Sequence, residues 1–112
     1  MPLLKIETNV ELSDPNDMLS ALSSTVATML GKPENYVMVT MRHNPEMLFA
    51  GTTAPLAFIE LKSLGLPEQR TAEFSATLCD LVTRHLDVPA ARTYIEFSNP
   101  ARHMWGWNST TF

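Results

Sequence analysis

Pro2 and Lys32 are the two residues of this sequence whose type and position could do chemistry together. A small second residue such as Pro permits removal of Met1, and the chain would then begin with a free secondary amine at the very start of a strand. A free α-amino group titrates at about 7.7–8. An apolar pocket or a nearby cation favours its neutral form further, so such a group can serve as a general base near pH 7. Position alone also allows a plainer role, a proline that opens a strand where its missing N–H costs little. Lys32 directly follows Gly31, the expected stop of a helix. There it complements the helix dipole, or it binds a substrate carboxylate and lowers the proton affinity of a nearby amine. The two roles of Lys32 are compatible.

The remaining candidates point away from other chemistries. His43, His85 and His103 lack metal-ligand spacing, and the single cysteine, Cys79, excludes a disulfide framework or a multi-cysteine zinc site. Cys79 falls beside an apolar helical stripe and reads as an inert thiol. There is no G-x-S-x-G nucleophile elbow, and Gly51 and Gly65 stand alone rather than in a phosphate-cradling loop. Neither a metal nor a cofactor is expected.

A chain of 112 residues with 45% apolar and 18% charged content fits one domain, residues 1–112. Charged residues usually make up about a quarter of a globular chain, so part of the surface is expected to face another subunit. Eight basic and twelve acidic residues give a net charge of −4 with no Lys/Arg cluster, which argues against nucleic acid as a partner. No stretch approaches the roughly 18 apolar residues of a membrane span. Lys5 interrupts the opening apolar run too early for a signal peptide. A cytoplasmic location is expected, and the sequon Asn108-Ser109-Thr110 reads as coincidence.

The elements that must position these residues follow from the hydrophobic periods. Leu3 to Thr8 alternates Leu4, Ile6 and Thr8 against Leu3, Lys5 and Glu7, a strand with one buried face. Ser13-Asp14-Pro15 opens a helix carrying Met18, Leu19, Leu22, Val26, Met29 and Leu30, stopped by Gly31 and Pro33. Tyr36 to Met41 reads as a second strand, and Pro45 to Pro55 as loop or short edge strand. The order then recurs: a strand over Leu56 to Leu64, a helix opened by Pro67 with Phe74, Leu78, Leu81, Val82 and His85 on one stripe, and a strand over Thr93 to Phe97. Aligning Pro33 with Pro89 superposes the two patterns at an offset of half the 112-residue chain. Two tandem βαβ units imply an α+β domain with a four-stranded mixed sheet and both helices on one face. The other face, carrying residues such as Phe58 or Ile59, is expected to be a bare apolar patch that oligomerisation would close. The Met104-Trp105-Gly106-Trp107-Asn108 tail would pack into a pocket or a neighbouring subunit.

Taken together, Pro2, Thr8-Asn9-Val10, Gly31-Lys32-Pro33 with Tyr36, Ser63-Leu64-Gly65, Tyr94-Ile95 and the ending Gly106-Trp107-Asn108-Ser109-Thr110-Thr111-Phe112 resemble the macrophage migration inhibitory factor family of the tautomerase superfamily. The resemblance spans the whole chain and is nearer to plant, protist and cyanobacterial members than to the vertebrate cytokine. It implies a homotrimer with sheets inside, helices outside and active sites at subunit boundaries. It further implies a cofactor-free keto–enol tautomerase acting on a small aromatic 2-oxo acid or enol, phenylpyruvate-like or dopachrome-like, with Pro2 as general base. By the same resemblance Lys32 and the backbone N–H of Leu64 bind substrate oxygens. Tyr36, Trp105, Trp107 and Phe112 wall the pocket, and Tyr94 reaches in from the adjacent subunit. The alternative is a non-catalytic binding or signalling protein that keeps the fold and the pocket, released without a signal peptide.

Departures from the family pattern bear on specificity. Glu96 stands where the vertebrate cytokine has an Asn at the far end of the pocket, and a carboxylate there disfavours an anionic or electron-rich substrate tail. Leu56-Ala57-Phe58-Ile59 replaces the Cys-x-x-Cys of some members, which excludes thiol–disulfide exchange. Leu12 and Asn44 replace a basic and an acidic residue of the cytokine, which weakens receptor mimicry and leaves receptor binding open. Other superfamily branches add arginines for dehalogenation or decarboxylation; Arg42 and Arg70 are present here, but nothing in the sequence places them at the pocket.

Overall fold

The computed structural model describes residues Met1–Phe112. Strand β1 (Pro2–Thr8) leads into helix α1 (Pro15–Leu30) and returns as β2 (Met38–His43); β3 (Ala57–Ser63), α2 (Thr71–Leu86) and β4 (Thr93–Ser98) repeat the order, and a short hairpin, β5 (Gly106–Trp107) with β6 (Thr110–Thr111), ends the chain. The sheet runs β2-β1-β3-β4. Each half supplies a parallel pair, and the halves meet antiparallel at β1 and β3, with Pro2 opposite Ser63 and Thr8 opposite Ala57. The two helices have 16 residues each and start 56 positions apart, at Pro15 and Thr71. The internal repeat expected from proline and glycine placement is therefore present in three dimensions.

Local chemistry explains the helix ends. Asp14 accepts from the N–H of Asp17 at 3.3 Å, and Pro15 occupies the first turn, where its missing N–H is of no consequence. At the far end Gly31 adopts φ 64°, and the N–H groups of Gly31 and Lys32 donate back to Thr28 and Ala27, a glycine-terminated cap. Its counterpart in the second half is Asp87, also left-handed at φ 57°.

The core lies between the helices and one sheet face. Met18, Leu22, Val26 and Leu30 of α1 and Phe74, Leu78, Leu81, Val82 and Leu86 of α2 pack on Leu4, Ile6, Ala57, Ile59 and Leu61. His85, expected on the same stripe, is only half-buried.

Several boundaries and one surface differ from expectation. β2 begins at Met38, not Tyr36, because the chain after Pro33 first makes a 3-10 turn in which Tyr36 and Val37 donate to Pro33 and Glu34 at 3.1 and 3.0 Å. Pro67 opens a 3-10 turn, Glu68–Arg70, and α2 proper starts at Thr71. The segment between Pro45 and Pro55 is loop, with a single bridge between Phe49 and Thr52.

The open sheet face is not the apolar patch expected. Ile59 belongs to the core, fully buried, because it pairs with Ile6 in the antiparallel register. The open face instead interleaves charged Lys5, Glu7, Arg42, Glu60, Lys62 and Glu96 with Leu3, Met38, Phe58 and Tyr94, of which Met38 and Tyr94 are each 66% exposed. Lys5 and Glu60 lie 3.8 Å apart, as do Arg42 and Glu7. That surface is mixed, with exposed apolar side chains set among paired charges.

Candidate active site

The first residues of β1, the 3-10 turn before β2 and the terminal hairpin converge on one cleft of about 230 Å³. Its walls include Met1, Pro2, Tyr36, Trp105, Trp107 and Phe112. The Tyr36 ring meets Trp107 edge-on at 5.4 Å and Phe112 at 6.0 Å, while Trp107 and Phe112 stack at 5.5 Å. The backbone N–H of Phe112 donates to Trp105 at 3.1 Å, which closes the hairpin over the cleft. The turn at its tip is left-handed at both Asn108 and Ser109 (φ 51° and 64°), as a tight two-residue hairpin requires. The tail thus packs on its own chain.

Pro2 sits at the floor, its ring buried beneath Met1. The terminal amine, carried by Met1 in this structure, lies below the ordinary α-amino range, chiefly because burial disfavours its charged form and next because of the positive charges of Lys32 and Arg102. Lys32 therefore acts on the amine from the end of α1 without lining the cleft. Leu64 follows Ser63, the β-partner of Pro2, so its backbone is close to the start of β1 while its side chain is buried.

Five of the expected residues, Pro2, Tyr36, Trp105, Trp107 and Phe112, come together in this one chain. Tyr94 and Glu96 do not. Both lie on β4, at the end of the sheet order beyond β3, and Tyr94 is 66% exposed. Arg42 is on the open face beside Glu7, and Arg70 is paired with Glu73 at 2.7 Å on the helical layer, so neither reaches the cleft. No group of three or more His, Cys, Asp or Glu side chains is arranged to hold a metal. No helix is long and apolar enough to cross a membrane. Burial pushes the Cys79 thiol up, against a smaller opposing hydrogen bond with Ser75.

Arg102 is the functional candidate that sequence reasoning missed. It lies in the 3-10 turn Arg102–Met104 that leads into Trp105, and no local pattern links it to an amine at the other end of the chain. Removing this cation relieves repulsion of the protonated amine, so Arg102→Ala is expected to raise the amine's titration point. An ¹⁵N-detected titration of the terminal nitrogen checks this; a point that stays in place or falls contradicts it.

Two βαβ halves sharing one mixed sheet, with the chain's amine at a central strand start walled by aromatic rings, define the fold of the tautomerase superfamily. The macrophage migration inhibitory factor (MIF) family description matches residues 1–112. A macrophage migration inhibitory factor homolog from Trichinella spiralis is 39% identical over 114 residues, covering 100% of both chains. The crystal structure of a homologue from Prochlorococcus marinus superposes with a TM-score of 0.94 at 41% identity, covering 98% of each chain. The Toxoplasma gondii protein of the same name gives 0.90 at 32% identity, over 98% of this chain and 99% of that one. The chain belongs to the macrophage migration inhibitory factor family.

Proposed function

We propose that this protein is a cofactor-independent keto–enol tautomerase that acts on a small aromatic 2-oxo acid of the phenylpyruvate type. The observation that carries this reading is the terminal amine held in an aromatic cleft, with burial and two cations favouring its neutral form. After removal of Met1 that amine belongs to Pro2, one residue deeper, where desolvation acts in the same direction. The neutral amine takes the enol hydroxyl proton and returns one to the carbon beside the aromatic ring. One proton moves from oxygen to carbon, with no change in net charge or oxidation state.

Lys32 holds the substrate carboxylate, and the Leu64 backbone N–H donates to a substrate oxygen. Tyr36, Trp105, Trp107 and Phe112 stack around the substrate ring and exclude water. The functional unit is a homotrimer, in which Tyr94 and Glu96 of one copy complete the cleft of the next. The exposure of Tyr94 in the single chain supports this, since a ring of that size gains by burial against a neighbour.

The test is turnover of phenylpyruvate, hydroxyphenylpyruvate and dopachrome methyl ester by protein whose loss of Met1 is verified by intact mass. Background rates with all three substrates overturn the reading. An unshifted amine in such an inactive protein would favour the pure binding role. Lys32→Ala is expected to raise KM roughly tenfold, the lower end of a charge-assisted hydrogen bond, with a smaller fall in kcat. An equal fall in kcat and kcat/KM would instead assign Lys32 to transition-state stabilisation.

A further inference from the structure

The guanidinium of Arg92 is committed almost entirely to one loop. Its Nε donates to the carbonyl of Pro55 at 3.0 Å, one terminal nitrogen to Phe49 at 3.2 Å, and the other to Thr52 and Ala54 at 3.2 and 3.0 Å. The same group lies over the Phe49 ring, 5.2 Å from its centroid. Phe49 in turn meets the Tyr94 ring edge-on at 4.8 Å.

The loop under this clamp turns tightly, with Phe49 and Thr52 exchanging hydrogen bonds at 3.0 Å across Ala50 and Gly51. Both turn residues are left-handed, at φ 52° and 75°, and the alanine pays a steric cost for it. Asn9 fixes the loop's far end, donating to Thr53 at 2.8 Å and accepting from Leu56 at 2.9 Å. Such a loop is held far more firmly than its exposure requires. What it presents is the Phe49 ring, against an otherwise exposed Tyr94.

We infer that Arg92 is a positioning residue for Tyr94, fixing through Phe49 the ring orientation with which Tyr94 contacts the aromatic substrate. This rests on the tautomerase reading for the identity of the substrate, but not for the brace itself. Only a planar fork of five N–H donors can satisfy carbonyls from four residues and still lie on an aromatic face; a lysine has one compact charge and three donors. A braced ring loses less freedom on binding than a mobile one, so its contact contributes more to affinity.

The chain has two tyrosines, Tyr36 and Tyr94, so protein labelled with 3-fluorotyrosine gives two ¹⁹F signals, assigned with Tyr94→Phe. Arg92→Lys is expected to shift or broaden the Tyr94 signal and leave that of Tyr36 in place. Phe49→Leu, which removes the ring and keeps the carbonyl clamp, should do the same and serves if Arg92→Lys fails to fold.

Titration with phenylpyruvate should move the Tyr94 signal in the parent protein. Either variant should weaken the apparent Kd by about twofold to tenfold, the range of one aromatic pair contact. In a Tyr94→Ala background, with binding read on the Tyr36 signal, Arg92→Lys should add nothing. An unmoved Tyr94 signal in the variants, an unchanged Kd, or a full additional loss in the Tyr94→Ala background overturns the inference. Because binding is read without turnover, an inactive protein showing these shifts sinks the tautomerase reading alone. An active one with unchanged Kd sinks only the role of Arg92.

Discussion

Replacing Pro2 with Ser is expected to lower kcat/KM for phenylpyruvate by about 10²- to 10⁴-fold, the usual contribution of a positioned general base. The pyrrolidine ring makes the nitrogen a secondary amine and fixes its direction relative to β1, whereas a serine amine turns freely about its bond to Cα. β1 is held on both sides, by β2 and by β3, so the nitrogen at its start is fixed in direction. Retaining Met1 should be at least as damaging, because the Pro2 nitrogen is then part of an amide and has no basic lone pair. Ser in place of Pro at the start of a strand leaves the sheet pairing intact, so circular dichroism and hydrodynamic size should match the parent. Parent-like turnover in either form would remove Pro2 from the mechanism.

The largest effect on stability is expected at Phe74. Its ring is fully buried in α2 at the centre of the layer that covers β1 and β3, and the Arg70 guanidinium lies over it at 5.0 Å. Truncating such a residue loses its transfer free energy and leaves a cavity, together about 3–5 kcal/mol. A domain of this kind has about 5–15 kcal/mol in total, so Phe74→Ala approaches the limit of a folded chain. The midpoint of urea unfolding should fall with little change in slope. Met104→Ala, at a residue 72% exposed, should change the free energy of unfolding by less than about 0.5 kcal/mol. A Phe74→Ala loss below about 1 kcal/mol would mean that the layer repacks, contrary to the close contact seen here.

The parts of the molecule legible in its sequence are those whose causes are local. Asp14-Pro15 and Gly31 mark the two ends of α1 because capping and a left-handed stop need particular residues at particular places. The alternation of Leu4, Ile6 and Thr8 assigns the inward face of β1 because the partners at Leu3, Lys5 and Glu7 are largely polar. In β3 the adjacent Phe58 and Ile59 are both apolar, and only the wider alternation, with Glu60 and Lys62 on the Phe58 face and Leu61 on the Ile59 face, separates them. The cross-strand register, a long-range fact, agrees by pairing Ile59 with Ile6. The run from Tyr36 to Met41 is rich in β-formers throughout, yet its first residues follow the turn set by Pro33. Arg102 and Arg92 escaped notice for the same physical reason. Each works on groups distant in the chain, and an arginine carries no local mark of what its fork will reach.

The internal repeat also makes the two ends of the fold chemically unequal. The position after each helix stop is Lys32 in the first half and Val88, fully buried, in the second. The strand that opens on Pro2 in one half opens on Ala57 in the other, inside a continuous chain where every backbone nitrogen is an amide. Under the proposed tautomerase activity, near-twofold architecture leaves one strand end of the two to carry the reactive amine. The second end is free to serve as scaffold, with its hydrophobic stop sealing the core. A permuted chain cut before Ala57 and joined through the present termini would move the amine to that sealed end, where no lysine awaits it and the aromatic hairpin is absent. Under that proposal, the inequality of the halves at residues 32 and 88 accounts for which of two similar strand ends carries the chemistry.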